Sequence, residues 1–314
     1  MALALKYTHS KDGTKIAYYQ IGSGPGLIIV HGAMQSGLSQ SKLATALSQK
    51  FTCYLPDRRG RGKSGPTGEN YSITKEVADL ESVHVATGAK YIFGVSSGAL
   101  ITLKAALVAP SSHIERIALF EPPWWPEPEI EENLAWVRKY EGEIERGKVA
   151  EALTTAMLGS KMCPPLMQSK FFPRPLLVLL SRLMTRGEQG TAEKSKMAEF
   201  DPANPTKSKP TVRDLTPTLR NDFEVATEMT ADKNFESLAG VKTEALIIGA
   251  TRSPAFLRHS VDVLEKILPN ARRVDLVGLD HGGTNDIGGK PEVFAEELLR
   301  FFTHGNTADA PRTD

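Results

Sequence analysis

The chain alternates short apolar blocks with stripes at helical spacing. Residues 3–10 and 14–21 read as two strands joined by Lys11-Asp12-Gly13, a hairpin signal. Residues 27–30 form a continuous apolar run, as expected of a strand buried on both faces. Leu38, Leu43 and Leu47 mark a helix face, residues 51–55 a further strand, and Ile73, Val77, Leu80 and His84 another helix. Residues 91–95 then end a buried strand, and an apolar helix rich in Ala and Leu follows over 99–109. Residues 114–120 and 245–248 read as buried strands and 273–277 as the last one. Helical stripes at Leu257, Val261, Leu264 and Leu268, and at Phe294, Leu298 and Phe301, flank that last strand.

Strands alternating with helices predict an α/β fold, with a mostly parallel central sheet and helices on both faces. The alternation breaks over residues 122–240. This stretch opens with Pro122-Pro123-Trp124-Trp125-Pro126, carries a stripe at Ile130, Leu134 and Val137, and later turns Pro- and Lys-rich. It is too long for a loop, so it is expected to be a helical lid inserted after the sixth strand. The core is then 1–121 and 241–304, and 305–314 is a flexible tail.

Composition narrows the class. Thirty-eight basic residues against 37 acidic leave a net charge of +1, so no electrostatic footprint for nucleic acid or an anionic membrane stands out. Cys53 and Cys163 lack metal-type spacing and read as buried thiols of a reducing compartment. The first six residues are too short an apolar run for a signal peptide. Residues 175–184, interrupted by Ser181-Arg182, are too short to span a bilayer. The expectation is a soluble cytoplasmic protein with no integral membrane segment, no nucleic-acid partner and no metal or cofactor. The oligomeric state stays open.

The chemistry centres on Gly94-Val95-Ser96-Ser97-Gly98, a G-x-S-x-G pattern between a strand and a helix. A serine at such a tip takes a strained backbone, and the flanking positions come too close to the fold for a Cβ. The turn exposes the Ser96 hydroxyl and aims the Ser97 amide at whatever that hydroxyl attacks. A serine needs a base, and His281 lies in a glycine-flanked loop just past the final strand.

Four features together resemble the α/β-hydrolase superfamily: His31-Gly32-Ala33 after the third strand, residues 57–64 after the fourth, the turn at Ser96, and the terminal His281. The likeness covers about 5–121 and 241–304. It implies that the Ala33 and Ser97 amides form an oxyanion hole, with Met34 a competitor for the first amide and a candidate substrate contact. His31 is then a loop-orienting residue. The run Gly60-Arg61-Gly62-Lys63-Ser64 invites a phosphate-loop reading, but Asp57 stands where that loop needs glycine. Asp57 is more simply a carboxylate tying down the arginine-rich turn.

Many members of the superfamily place the acid after the strand corresponding to 245–248. Here residues 249–254 contain no carboxylate. The other position the fold offers is the tip of the strand after the nucleophile helix, which is Glu121. The order Ser96, Glu121, His281 is the one this fold requires. Glu121 could instead cap a lid element or pair with Arg252. Trp124 and Trp125, beside that acid, suit an apolar ligand or simply glue the lid to the core. Lys207, Lys209 and Arg213 read as a solvated face. The expectation is a cofactor-independent serine hydrolase, carboxylesterase-like, acting on a small or medium apolar ester, lactone or thioester. A receptor-like binding protein and an acyltransferase are the alternatives.

Overall fold

The computed structural model describes residues 2–108, 114–123, 130–186, 199–231 and 235–305. Its strands are β1 (Ala4–His9), β2 (Lys15–Gly22), β3 (Gly26–Val30), β4 (Thr52–Pro56), β5 (Tyr91–Val95), β6 (Arg116–Phe120), β7 (Glu244–Ala250) and β8 (Ala271–Leu276). They form one sheet in the order β1-β2-β4-β3-β5-β6-β7-β8. The β1–β2 and β2–β4 pairs are antiparallel and the remaining pairs parallel.

The continuous apolar runs follow from burial of both sheet faces. Ile28, Ile92, Ile117, Leu119 and Ile247 point into one core, whereas Leu27, Ile29, Phe93, Phe120 and Leu246 point into the other. Helices α1 (Ser41–Leu47), α2 (Ile73–Thr87) and α3 (Ser97–Val108) come early in the chain. The Ser72 side chain caps α2, accepting from the Lys75 amide, and Gly88 ends it at φ 65°. Leu80 and Val83 of α2 and Leu100 and Leu103 of α3 fill the first core, whereas Leu43 and Leu47 of α1 fill the second.

Between β6 and β7 lie α4 (Ile130–Glu145), α5 (Val149–Gly159), α6 (Arg174–Met184) and α7 (Leu219–Ala231). Helices α4 and α5 pack together, α6 packs on α5, and α7 packs on α3. The Trp136 ring meets Phe223 edge-on at 4.7 Å, and the Tyr140 hydroxyl donates to the Thr216 carbonyl at 2.6 Å. Trp136 thus joins two insert helices. Trp124 and Trp125 lie outside the described residues, as do residues 306–314 of the expected tail. Helix α8 (Ala255–Ile267) adds Val261 and Leu264 to the first core, and α9 (Pro291–His304) adds Phe294, Leu298 and Phe301 to the second.

One expectation needs correction. Lys209 is not part of a solvated face: its ammonium pairs with the largely buried Asp286 carboxylate at 2.7 Å. The partner lies 77 residues away and only tertiary packing brings it there.

Candidate active site

Every side chain of the candidate site sits at the C-terminal edge of the sheet, where strands end and loops begin. At the end of β5 the backbone turns sharply into α3, and Ser96 takes φ 55° to make that turn. Its amide donates to the Phe120 carbonyl (2.9 Å), and its carbonyl accepts from the Ala99 amide (2.8 Å). A Cβ on Gly98 would strike the Val30 carbonyl, and one on Gly94 would lie 2.5 Å from the Thr102 hydroxyl. Both glycines are therefore required by close approach.

His281 follows β8 in a short loop, its ring stacked on Phe120 with centroids 5.6 Å apart. Nε2 is 3.0 Å from Ser96 Oγ, and Nδ1 is 2.7 Å from Glu121 Oε2. Glu121 is fully buried and takes φ 44°, with its amide donating to the Ile248 carbonyl at 3.2 Å. That conformation turns the carboxylate across the end of β7. Oε1 accepts from the Ala250 amide and Oε2 from the Ser253 hydroxyl, both at 2.8 Å. The loop lacking a carboxylate thus supplies donors to the carboxylate of the neighbouring strand. Arg252 is not among its hydrogen-bond or ion-pair partners. Two other carboxylates near His281 in the chain are engaged elsewhere: Asp280 accepts from the Gly282 amide at 2.9 Å, and Asp275 pairs with Arg273 at 3.0 Å.

Among the described residues, five non-glycine residues have left-handed φ, and Met34 (56°), Ser96 and Glu121 are three of them. Strain of this kind persists only where the surroundings over-determine it, and here it gathers around one serine.

The loop after β3 is clamped from both sides. The Gly32 amide donates to Gln35 Oε1 at 2.8 Å, and its carbonyl accepts from Arg61 Nη1 and His31 Nδ1, each at 2.9 Å. Gln35 in turn donates to Asn285 Oδ1 at 2.5 Å, joining this loop to the histidine loop. Among the described residues the amides of Ala33 and Ser97 have no protein acceptor, and both residues line the same cavity as Ser96. The Met34 amide likewise has no acceptor, so it remains a competitor. His31 is completely buried, with Nε2 accepting from the Arg58 amide at 3.3 Å. Burial, then Arg61 and Arg58, push its pKa well below the usual value, so it is a neutral strut.

Behind the serine lies a buried ionic layer that sequence reasoning missed. Asp222 of α7 accepts from Arg58 Nη1 (2.8 Å), Arg61 Nη2 (2.5 Å) and the Ser97 hydroxyl (2.7 Å). Glu76 completes the charge balance by pairing with Arg58 at 3.0 Å. Burial opposes the charge on Asp222, but Arg61 and Arg58 outweigh it and hold its pKa below the ordinary value. The three arginines of residues 57–64 were the available signal, since buried cations require acids. Nothing marked Asp222 as their partner. Asp57 accepts from the Gly37 and Lys63 amides (2.8 Å each) and the Tyr19 hydroxyl (3.1 Å), tying down the turn as expected. Burial raises its pKa to about 6.

A cavity of about 270 Å³ opens over Ser96 and His281. Its walls are mainly apolar: Leu153 and Met157 of α5, Leu219 and Phe223 of α7, and Leu257 of α8, with Met34 at its side. The insert helices therefore roof the serine, and Asp222 of the same helix reaches the cavity edge.

Comparison with known proteins agrees with this fold. Among solved structures, an α/β hydrolase from Sphaerobacter thermophilus superposes with a TM-score of 0.70 and 28% identity, over 95% of this chain and all of that one. The enol-lactonase of Burkholderia xenovorans superposes with a TM-score of 0.63 and 19% identity, over 95% and 100%, a likeness of fold alone. Among curated proteins, a proline iminopeptidase of Xylella fastidiosa is 30% identical over 112 residues, 34% of this chain and 36% of the relative. A cis-3-alkyl-4-alkyloxetan-2-one decarboxylase of Shewanella oneidensis is 30% identical over 77 residues, 24% of each. The chain thus matches only about a quarter to just over a third of the length of these relatives. The profile of the α/β-hydrolase fold matches residues 25–283. That span runs from the start of β3 through the loop carrying His281, and with it this chain belongs to the α/β-hydrolase family.

Proposed function

We propose that the protein is a serine hydrolase acting on small or medium, mostly apolar carboxylic esters, lactones or thioesters through an acyl-enzyme. The observation that carries this is the unbroken contact chain from Ser96 Oγ through the His281 ring to Glu121 Oε2, at 3.0 and 2.7 Å. Glu121 fixes the His281 tautomer with the proton on Nδ1, which leaves Nε2 to take the serine proton. Ser96 Oγ attacks the carbonyl carbon, and the carbonyl oxygen becomes an oxyanion held by the Ala33 and Ser97 amides. Removing one such donor typically costs about 3 kcal/mol of barrier. His281 then protonates the leaving group, the acyl group stays on Ser96, and a water deprotonated by the same imidazole releases it. The apolar cavity accounts for the acyl preference.

The receptor-like alternative drew its support from the missing carboxylate at 249–254, and Glu121 against His281 removes that motive. A fluorophosphonate probe tests the proposal. Stoichiometric labelling at Ser96 is expected, abolished in Ser96→Ala and at least about tenfold slower in His281→Ala. Folded protein that is never labelled refutes it.

A further inference from the structure

Helix α6 is amphipathic the wrong way round for a helix of a closed protein. Its inward stripe is Leu177, Ser181 and Thr185, with the Ser181 hydroxyl accepting from Thr154 at 2.8 Å. Its outward stripe is Leu176, Leu179, Leu180, Leu183 and Met184, each 37–53% exposed. These positions recur at i, i+3, i+4, i+7 and i+8, so they form one continuous apolar face. The chain just before the helix also exposes Leu166 and Phe171, the latter 85% exposed. Eight of the thirteen large apolar residues exposed among the described residues fall within 162–184. Such clustering marks an interaction surface, since scattered exposure needs no explanation and contiguous exposure does.

Charge says what kind of surface it meets. Residues 161–186 contain five cations, Lys161, Lys170, Arg174, Arg182 and Arg186, and no aspartate or glutamate. The Lys170 ammonium lies over the Phe171 ring at 5.4 Å, and Arg182 is held by Glu151 at 2.8 Å. A nearly neutral protein thus concentrates positive charge in the segment that carries most of the exposed large apolar residues among those described. We infer that this face of the insert docks on an anionic lipid surface, with the leucine stripe and Phe171 in the interface and the basic side chains among the headgroups. A second copy of the chain fits less well, because two such segments would oppose like charges. No described helix is long and apolar enough to cross a membrane, so the contact is a peripheral one. Met162, exposed in the same segment of chain, also lines the cavity over Ser96.

The test is co-sedimentation of the full chain with vesicles of phosphatidylcholine alone or mixed with phosphatidylglycerol. It reads binding, so it stands or falls independently of the proposed hydrolysis. Partitioning into phosphatidylglycerol vesicles is expected to exceed that into phosphatidylcholine by about tenfold or more, since each cation near an anionic surface contributes about fivefold. The preference should shrink in about 0.5 M salt, where charges are screened within a few ångströms. The double variant Leu179→Asp/Leu183→Asp changes only exposed positions, and its thermal unfolding checks that it is folded. It should lose at least about tenfold in partitioning. Three results overturn the inference: no sedimentation of the unmodified protein with anionic vesicles, equal partitioning of the folded double variant, or a dimer in sedimentation equilibrium that this variant abolishes without vesicle binding.

Discussion

At the scale of single residues, the contacts joining Ser96, His281 and Glu121 depend on Glu121 standing in a left-handed conformation that a non-glycine residue takes only under constraint. Among the described residues, three donors hold its carboxylate: the Ala250 amide, the Ser253 hydroxyl and His281 Nδ1. Glu121→Gln retains the shape and removes the charge that, in the proposed mechanism, orients and stabilises the imidazolium. Its kcat is expected to fall by about 10²–10⁴-fold with the thermal midpoint nearly unchanged. Near-normal turnover on a p-nitrophenyl ester would remove Glu121 from the mechanism. Ser253→Ala takes away one of the three donors, and a loss of about tenfold in kcat at similar KM is the expected result. A KM effect alone would assign Ser253 to substrate contact.

Helices and strands add a second level of constraint. Helix α3 approaches the end of β3 so closely that Gly98 has no room for a methyl group. Gly98→Ala must push the helix away, and a loss of about 1–3 kcal/mol in chemical denaturation is expected, with labelling of Ser96 impaired. Helix α7 is held to the core by the Asp222 carboxylate between Arg58 and Arg61. Removing that charge leaves two arginines buried with fewer partners, so Asp222→Asn is expected to cost about 3–5 kcal/mol. The pH dependence follows from the lowered pKa of Asp222. The folded state binds its proton less readily than the unfolded chain does. The contribution is therefore full above about pH 4 and is lost as the pH falls through the folded-state value. Thermal melts of the unmodified protein and Asp222→Asn should thus converge on acidification below about pH 4. A gap that stays constant there would mean that Asp222 acts by shape and not by charge.

For the molecule as a whole, cavity size sets the chemistry that fits. A space of about 270 Å³ with apolar walls matches a short acyl chain better than a long one. Across p-nitrophenyl esters, kcat/KM is expected to rise by about 3–4-fold per methylene while the cavity fills, then to fall. A monotonic rise through long chains would place the acyl group outside this cavity. The same scale exposes the weakness of net charge as a guide. The total of +1 hides a cationic stretch in the insert that lies beside exposed leucines, and a sum over the chain cannot register where charges stand.

Local chemistry written along the chain determined the succession of strands and helices. Period-two and continuous apolar runs forecast the strands, helical stripes forecast the flanking helices, and two glycines around a serine marked the turn at Ser96. These signals are legible because backbone geometry imposes them within a few residues. Glu121 was within reach because the strand pattern located its tip, although its three donors were not visible. Tertiary structure alone decided the rest: Gln35 against Asn285, Lys209 against Asp286, Asp222 beneath Arg58 and Arg61, and leucines of α6 turned outward. Each of these joins positions far apart in the chain or depends on which helix face meets a neighbour. Spacing along a polymer carries no information about that until the sheet and its insert have packed.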